Sequence, residues 1–415
     1  MNNRRIIIVG GGAAGFIAAV ACAESSPGTE VVVLEKTARF LDKVRISGGG
    51  RCNVTHALFD SRAFAQRYPR GERELLSPFK QFSASDTVEW FAARGVRLKT
   101  ESDGRMFPVT DLSQTIVDCL MNAARDAGVV LRLNSGVERI ERKPDGEFEL
   151  KLSAAAVGGA ADLLVCNRVL LATGGCRAVA AGRLAVDLGH TLEPPVPSLF
   201  TFHIESPWLR GLAGISVESA EVSVPASKLR ERGPMLITHW GLSGPAVLRL
   251  SAWGARTLHD SDYRFTLLVN WLPESASEEI SAGLNARRKS QPAKLVVNTP
   301  LAPLPSRLWE QLVIVSGIAR ETRWAAVSNA QLHALVRQLI RTELAVTGKS
   351  LNKDEFVTCG GVRLNEVNFK TMESRVCPGL YFAGELLDVD GVTGGFNFQA
   401  AWTTGWIAGR AMAED

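Results

Sequence analysis

The sequence predicts an α/β protein in which a parallel α/β domain is formed by the two ends of the chain. Near the N-terminus, a β-branched run leads into glycines and an alanine-rich stretch, which is the order of a strand, a turn and a helix. Near the C-terminus, a second strand-like run leads into another helix that starts at glycines. The region between them contains short alternating runs separated by proline and glycine, which predict antiparallel β structure.

Composition places the chain among ordinary globular proteins. Its 415 residues are 46% apolar and 22% charged, enough for two or three domains with their own cores. The net charge of +4, from 47 basic and 43 acidic residues, is too small to indicate nucleic acid or an anionic membrane by bulk charge. No apolar run reaches the ~18 residues of a membrane span. The N-terminus is not read as a signal peptide, because glycines interrupt its apolar stretch.

Cysteine usage points to a reducing compartment. The seven cysteines include no C-x-x-C pair, and an odd, scattered set predicts reduced thiols and a cytoplasmic location. No cluster of cysteine and histidine with metal-ligand spacing is present in the sequence, so no metal site is predicted.

The N-terminal segment has the element order of a Rossmann-like dinucleotide-binding unit. The elements are a strand at Arg5–Val9, the turn GGGAAG at 10–15, a helix from Ala13 to about Glu24, and a strand from Glu30 to Glu35. Glycines in G-x-G-x-x-G let backbone approach a pyrophosphate, the helix N-terminus adds partial positive charge, and an acid about 20 residues on reaches a ribose hydroxyl. An acid here favours FAD or NAD over NADP. The predicted contacts are Gly10, Gly12, Ala13, Ala14, Gly15, Glu35 and Lys36.

The C-terminal segment predicts contacts with the other end of a long ligand. Leu380–Ala383 reads as a strand, Gly384-Glu385 as a turn, and the run starting at Gly394 as a helix that continues to about Met412. A helix N-terminus would stabilise negative charge on a reduced flavin ring, and Glu385 would accept a ribityl hydroxyl. The alternative is a docking helix with a glycine N-cap. The predicted contacts are Gly384, Glu385, Gly394, Gly395, Phe396 and Asn397.

Two further stretches lie between these ends. Val169–Gly175 reads as a buried strand that leads to a glycine turn, with Thr173 and Gly174 as predicted contacts. Val129–Lys143 and Glu147–Leu152 read as strands joined by a turn. Backbone at Val137 is a candidate adenine contact, and plain sheet structure is the alternative.

On these residues the chain resembles the two-dinucleotide-binding-domain flavoproteins. More narrowly, ISGGGRCN, THWGLSGPAVL and GELLDVDGVTGGFNFQAAW are similar to the signatures of a flavoprotein family that includes the YhiN- and BaiN-type proteins and aminoacetone oxidase. The resemblance implies bound FAD and a discontinuous Rossmann-like FAD-binding domain, interrupted by an antiparallel β-barrel-like domain and a small helical module. It also implies that the loop with Gly50, Arg51, Cys52 and Asn53 lies against FAD, between the diphosphate and the flavin.

The residue pattern sets the expected boundaries of these parts. The FAD-binding domain is assigned to 1–188 and 357–415, the barrel-like domain to 189–272 and 346–356, and the helical module to 273–345. Leu199–Ile204, Val217–Val224 and Arg264–Leu272 alternate as strands, whereas runs starting at Ser277, Ser306 and Asn329 are helical, with Asn329 as an N-cap.

Four residues have a candidate role, and for Cys52, His239 and Trp240 a structural interpretation competes with the functional one. Arg51 has the charge to offset a phosphate. Cys52 is either a redox thiol near the flavin or, as we favour, a packing residue. His239 and Trp240 either line a substrate pocket or belong to a strand-to-helix corner with a satisfied histidine. The other histidines form no constellation, so no catalytic residue is assigned.

Several functions are compatible with these features. The first is a FAD-dependent oxidoreductase reduced by transiently docked NADH or NADPH and acting on a small organic substrate. An oxygen-using amine oxidase of the aminoacetone oxidase kind is the alternative. A flavin-bearing protein related to tRNA modification is a third possibility, but its basic runs, Arg4-Arg5 and Arg287-Arg288-Lys289, are short and lack interleaved aromatics. A flavoprotein with purely structural FAD is the fourth.

Overall fold

The computed structural model of the chain describes residues 4–153, 163–176, 179–350 and 357–414. These divide into two compact units. The first contains residues 4–197 and 357–414, and the second contains residues 198–350. The first unit is therefore discontinuous in sequence.

The N-terminal part of the first unit contains eleven strands and eight helices in its described residues. In chain order they are β1 (Arg5–Val9), α1 (Ala13–Ser25), β2 (Glu30–Leu34), α2 (Asp42–Gly50), β3 (Thr55–His56), α3 (Ser61–Ala65), α4 (Glu72–Leu75), α5 (Pro78–Gln81), α6 (Ala84–Ala92), β4 (Leu98–Thr100), β5 (Arg105–Pro108), α7 (Ser113–Asp126), β6 (Val130–Arg132), β7 (Val137–Arg142), β8 (Phe148–Leu152), β9 (Leu163–Cys166), β10 (Arg168–Leu171), α8 (Val179–Asp187) and β11 (Leu192–Ser198).

The second unit and the rest of the first follow in the chain. The second unit contains β12 (Thr201–Ile204), α9 (Pro207–Arg210), β13 (Ser216–Ser223), β14 (Arg230–Ile237), β15 (Gly241–Ser243), α10 (Pro245–Trp253), α11 (Ala255–Asp260), β16 (Phe265–Asn270), α12 (Ser277–Ser290), α13 (Ser306–Val315), α14 (Asn329–Ile340) and β17 (Thr342–Ser350). The first unit then resumes with β18 (Val357–Val362), β19 (Val367–Asn368), β20 (Glu373–Ser374), β21 (Leu380–Phe382) and α15 (Phe396–Ala413).

The main sheet of the first unit has the order β19-β20-β21-β10-β1-β2-β6. Strands β6, β2, β1, β10 and β21 are parallel to one another. Strand β20 is antiparallel to β21, and β19 is antiparallel to β20. The β-branched side chains of β1 are fully buried at Ile6, Ile7 and Ile8, as expected for a parallel strand covered on both faces. The chain continues from β1 to β2, which pairs with one side of β1, whereas β10 pairs with its other side. Strands β1 and β10 therefore flank a topological switch point of the sheet.

Smaller sheets extend the first unit. Strands β3, β5 and β4 form one three-stranded sheet, β7, β8 and β9 form another, and β11 pairs with β18. The run Val129–Lys143, predicted as one strand, is two strands in different sheets: β6 belongs to the main sheet, and β7 pairs with β8. The break follows from the polar turn residues Asn134, Ser135 and Gly136, which separate them.

The second unit is a closed barrel packed against helices. Its strand order is β12-β15-β14-β13-β16-β17. One hydrophobic core joins barrel residues such as Phe202 and Trp271 to Trp309, Trp324 and Leu335 of the helical segment. The predicted change from barrel to helical module is therefore a change of secondary structure inside one unit. The predicted fold class, with a Rossmann-type domain and a barrel, is confirmed.

The observed bounds differ from the predicted ones at three places. The first unit continues to residue 197 rather than 188, because β11 pairs with β18 of that unit. The helical module predicted to extend to residue 345 ends with α14 at Ile340, and the buried-exposed alternation of Thr342–Val346 belongs to β17. The N-cap of α14 is Ser328, whose side chain accepts from Gln331 N, and not Asn329. Within the described residues, no helix is both long and apolar enough to cross a membrane.

Candidate cofactor site

The turns that follow β1 and β10 meet at the switch point of the main sheet. A Cβ atom built on Gly10 would overlap the carbonyl oxygen of Ala172, and one built on Gly15 would overlap the carbonyl oxygen of Gly10. Glycine at these two positions therefore lets the turn after β1 pack against β10 and lets α1 start close to it. The structure thus brings the predicted residue Gly10 next to Thr173, and Gly15 packs against Gly10.

Other predicted glycines face open space instead. A Cβ atom built on Gly12, Gly50 or Gly174 would meet no protein atom within 4 Å. Gly12 is the N-cap of α1, and neither a side-chain cap nor an acidic residue lies in the first turn. The helix N-terminus formed by Gly12, Ala13 and Ala14 is therefore free to bind a ligand's anion.

Glu35 is fixed at the carboxyl end of β2 by backbone donors. Its Oε2 accepts from Gly11 N at 2.9 Å and its Oε1 accepts from Thr37 N at 2.8 Å. Each oxygen keeps a second lone pair for a hydroxyl group. Lys36 follows with an exposed side chain, and a Cβ atom on Gly136 would lie 3.4 Å from Lys36 Cβ. The start of β7 at Val137 therefore lies near the end of β2, as an adenine contact requires.

The C-terminal end of α2 contains the run of glycines. Backbone at Ser47, Gly48 and Gly49 is not helical, and Gly50 has a φ of +82° with open space at its Cβ position. Arg51 points into a local ion network: Nη1 lies 2.6 Å from Glu101 Oε1 and 3.6 Å from Asp111 Oδ1. Its guanidinium also lies 4.0 Å from the ring centroid of Phe107. The charge of Arg51 is thus shared with two carboxylates of the same unit.

Cys52 and Asn53 have structural partners. Cys52 is fully buried, and this burial raises the pKa of its thiol to about 12. A thiol that stays protonated at neutral pH is a poor nucleophile, which supports the packing interpretation. The Asn53 amide bridges two backbone groups at 3.0 Å, with its nitrogen donating to Thr55 O and its oxygen accepting from Gly395 N. Asn53 therefore holds the start of α15 against β3.

The turn before α15 is fastened by side chains of its own unit. Asn397 Oδ1 accepts from Gly391 N at 2.8 Å and Asn397 Nδ2 donates to Gly391 O at 2.9 Å. The ring of Phe396 stacks on His56, with centroids 4.8 Å apart, and His56 Nδ1 lies 3.0 Å from Gly394 O. The Gly394–Asn397 turn is thus brought to the loop of residues 50–53. Burial lowers the pKa of His56 below its usual value, which favours the neutral form of this ring.

Glu385 is held from two sides at the end of β21. Its Oε2 lies 2.6 Å from Lys43 Nζ, and its Oε1 accepts from Thr358 N at 2.9 Å. Thr358 is 1% exposed, and its Oγ1 is buried without a hydrogen-bond partner. A Cβ atom built on Gly175 would crowd both Thr358 Oγ1 and Glu385 Oε1. Gly384 N donates to Thr404 Oγ1, which fixes this turn to α15.

These residues fit FAD on grounds of geometry and donor chemistry. Gly12, Gly174, Glu35 and Glu385 follow the carboxyl ends of β1, β10, β2 and β21, so the uncapped start of α1, the open side of Gly174 and the two oriented carboxylates lie along one edge of the main sheet. The unsatisfied hydroxyl of Thr358 adds a polar group for a ligand to bind. Lys43, His56 and Thr358 were not predicted from the sequence. The first two lie beside the ISGGGRCN segment, but Thr358 is recognisable only from the fold.

His239 and Trp240 belong to the second unit. They lie in the tight turn between β14 and β15, where Thr238 Oγ1 accepts from Trp240 N at 3.3 Å and from Gly241 N at 3.2 Å. Both side chains are exposed, and among the described residues neither has a partner of the kind that a general acid or base requires. The corner predicted here is present, since α10 starts at Pro245 after the N-cap Gly244.

Comparison with known proteins identifies the family. Residues 4–411 match the family described as HI0933-like protein Rossmann domain. The 3-dehydro-bile acid delta(4,6)-reductase of Clostridium scindens is 32% identical over 420 residues, which cover 99% of each chain. The ribosomal RNA dihydrouridine synthase of Escherichia coli is 31% identical over 394 residues, which cover 93% of this chain and 92% of the relative.

A solved structure shares the fold. It is the 3-ketosteroid-delta4-(5alpha)-dehydrogenase from Rhodococcus jostii RHA1 in complex with 4-androstene-3,17-dione, with a TM-score of 0.54 and 15% identity, covering 100% of this chain and 98% of that chain. The chain belongs to the HI0933-like family. The predicted resemblance and the prediction of a FAD-dependent oxidoreductase are confirmed at this level.

Proposed function

We propose that this chain is a FAD-dependent reductase that adds a hydride and a proton across a carbon–carbon double bond conjugated with a carbonyl group. The observation that carries the proposal is the chemistry shared by two relatives of nearly equal identity, a 3-dehydro-bile acid delta(4,6)-reductase and a dihydrouridine synthase. A dienone and a uracil ring both contain a double bond that a carbonyl group polarises for hydride addition. When bound, FAD supplies the two-electron chemistry of such a reaction.

The residues of the first unit have distinct tasks in this proposal. The uncapped N-terminus of α1 at Gly12 binds the diphosphate through backbone N–H groups and the helix dipole. Glu35, oriented by two backbone donors, accepts ribose hydroxyls. Glu385, oriented by Lys43 and by Thr358 N, accepts a ribityl hydroxyl. Thr358 Oγ1 donates to a polar group of the same ligand segment.

NADH or NADPH is the proposed electron donor. A second G-x-G-x-x-G is missing from the sequence, so the nicotinamide would dock transiently rather than in a dedicated domain. A dithiol relay is not part of the proposal, because all seven cysteines are free and buried. Their odd number and scattered spacing also support the proposed cytoplasmic location.

The test is an anaerobic titration of the purified protein with NADH and NADPH, followed by addition of an acceptor. We expect one nicotinamide to bleach the visible flavin band. We then expect 4-androstene-3,17-dione or a uridine-containing RNA transcript to restore the band, with formation of the saturated product. If neither nicotinamide bleaches the flavin, but an amine such as aminoacetone does and oxygen restores it, the oxidase alternative is correct and the proposal is wrong.

A further inference from the structure

The loop of residues 388–395 presents unpaired N–H groups at the start of α15. Gly394 is buried, and its N–H makes no hydrogen bond with any residue that the structure describes. The N–H groups of Phe396 and Asn397, in the first turn of the helix, are also without a partner among those residues. A buried N–H without a partner is rare in a folded protein. These donors are the ones that the sequence predicts to face the flavin end of FAD.

A buried ion pair lies in the same loop, shortly before these donors. Both carboxylate oxygens of Asp390 accept hydrogen bonds from Arg70: Oδ1 from Nε at 2.5 Å, and Oδ2 from Nη2. The backbones of the two residues also form an isolated antiparallel bridge. The side chain of Asp390 is fully buried and that of Arg70 is 15% exposed. Every other carboxylate in an ion pair between described residues has a side chain that is at least 16% exposed, so Asp390 stands apart.

The position of Asp390 relative to α15 is fixed by the next residue, Gly391. The amide of Asn397 bonds both Gly391 N and Gly391 O, and a Cβ atom built on Gly391 would lie 2.8 Å from Phe396 Cβ. The carboxylate therefore lies near the N-terminus of an 18-residue helix, where partial positive charge stabilises an anion. Without a cationic partner, Asp390 would compete with an anionic ligand for this charge and would repel it.

A purely structural role explains only part of this arrangement. Neutral contacts already fasten the loop: Val392 N donates to Arg67 O at 2.9 Å, and the Tyr68 hydroxyl donates to Phe396 O at 2.5 Å. The Asn397 amide adds its two hydrogen bonds to the loop backbone. A buried ion pair also has a desolvation cost that apolar side chains of similar volume avoid. Stability alone therefore does not account for two charges at this position.

We propose that Arg70 is a positioning residue for the flavin end of the cofactor, which acts through Asp390. Its two hydrogen bonds orient the loop of residues 388–395, and its charge cancels that of a carboxylate beside the N–H donors of α15. The inference rests on the proposed function, in which bound FAD is reduced and reoxidised.

The two parts of this role follow from the chemistry of the pair. A planar guanidinium that forms two parallel hydrogen bonds fixes the orientation of the carboxylate as well as its distance. Because Arg70 occupies both oxygens of Asp390, the start of α15 keeps its partial positive charge for the ligand. Negative charge that develops on a reduced flavin ring is then stabilised by the helix N-terminus without opposition from Asp390.

The test measures the reduction potential of FAD bound to the full-length protein, by slow reduction with xanthine and xanthine oxidase beside a reference dye at pH 8. Arg70→Met leaves the carboxylate charge, Asp390→Asn leaves the guanidinium charge, and Arg70→Met/Asp390→Asn leaves neither. Arg94→Met is the matched control, because Arg94 pairs with Glu24 at 2.6 Å in the same unit. Glu24 lies in the last turn of α1, at the opposite end of that helix from the predicted cofactor contacts.

We expect the two single variants to shift the potential in opposite directions. Arg70→Met should lower it and Asp390→Asn should raise it, each by roughly tenfold in the ratio of the dissociation constants of oxidised and reduced FAD, or about 30 mV for a two-electron couple. A unit charge ~10 Å from another has an effect of at least this size at an effective dielectric constant of ~20. The double variant and Arg94→Met should keep the wild-type potential.

Arg70→Lys separates charge from orientation. Lysine keeps the charge but lacks the planar fork, so this variant should keep the wild-type potential and bind FAD several-fold more weakly when the apoprotein is reconstituted. An unchanged FAD affinity would remove the orienting role of Arg70.

A shift in the same direction in both single variants, or a shift in neither, would show that the pair only holds the loop and would overturn the inference. If Arg70→Met does not fold, because an unpaired carboxylate is buried, Asp390→Asn still decides, since Arg70 reaches solvent; an unchanged or lowered potential in Asp390→Asn would then overturn the inference. Bleaching of the flavin by NADH and NADPH is recorded separately in the wild type. Its absence would refute the proposed function, whereas the potentials, which are measured without nicotinamide, would still decide the role of Arg70.

Discussion

Replacement of Gly12 by serine separates the folding role of the first glycine turn from its role in binding a cofactor. Gly12 is the N-cap of α1, with φ −95° and ψ −167°, an extended conformation that serine adopts readily at an N-cap. A Cβ atom there meets no protein atom within 4 Å. The serine oxygen would accept from the free N–H groups of the first turn, which are the donors that we assign to the diphosphate.

The two expected effects have opposite signs. Serine instead of glycine at an N-cap stabilises a helix by a few tenths of a kcal/mol, so the melting temperature of the apoprotein should rise slightly, by less than about 1 °C. The serine oxygen would also accept a hydrogen bond from one of the N–H groups that we assign to the diphosphate, and it would repel the diphosphate oxygens. Loss of one charge-assisted hydrogen bond is worth about 2 kcal/mol, or roughly 30-fold in the dissociation constant of FAD.

The assay is reconstitution of apoprotein with FAD, followed by quenching of flavin or tryptophan fluorescence, alongside thermal unfolding of the apoprotein. Gly283→Ser is the matched control, since a Cβ on Gly283 of α12 also meets no atom and the residue lies in the other unit. An unchanged FAD affinity in Gly12→Ser would show that the diphosphate does not bind at the start of α1. Gly50 is a less specific probe, because its φ of +82° strains any replacement.

Three further predictions follow from the same structure. Gly15→Ala should prevent folding of the first unit rather than weaken FAD alone, because its Cβ would overlap Gly10 O; a folded variant by circular dichroism would refute the packing argument. Cys52→Ala should keep nicotinamide-dependent flavin bleaching, and native Cys52 should resist iodoacetamide at pH 8, because burial raises its thiol pKa to about 12; rapid labelling would contradict this. Burial lowers the pKa of His190, so the unfolded state binds the proton more readily, and stability present above pH ~6.5 is lost as pH falls through the lower folded pKa. His190→Gln should therefore show a weaker fall in melting temperature between pH 7.5 and pH 5.5 than wild type, and an identical fall would exclude His190 as the titrating group.

The first unit was predictable wherever local signals and tertiary packing agree. The strand Arg5–Val9 and the helix from Ala13 match the structure, because a buried β-branched run and an alanine-rich run have only one stable arrangement around the glycine turn. The strand at Leu380 and the final helix were also recognisable. These segments carry their own periodicity and stop signals, so neighbouring structure does not alter them.

Other parts depend on contacts distant in sequence. Thr358 lies beside Glu385 only because β18 pairs with β11 and returns the chain to the first unit. His190 is similar: it bonds Glu366 Oε2 at 2.9 Å and Ser374 Oγ at 2.8 Å, and no local pattern connects these three residues.

The N-caps of the helices differ in whether the protein itself satisfies the first N–H groups. Helices α6 and α14 start with capping boxes, formed by Ser83 with Asp86 and by Ser328 with Gln331, which satisfy the first N–H groups internally. Helices α1, α10 and α15 start with the glycines Gly12, Gly244 and Gly395 instead.

The three glycine caps are not equivalent. A Cβ on Gly244 would press on backbone of β14 and one on Gly395 would overlap Thr55 O, whereas one on Gly12 would meet nothing. Gly244 and Gly395 therefore allow close backbone packing, and Asn53 already accepts from Gly395 N. Only at Gly12, among these three, is the glycine unexplained by protein contacts. The start of α1 is consequently where we expect the strongest dependence of cofactor affinity on a single residue.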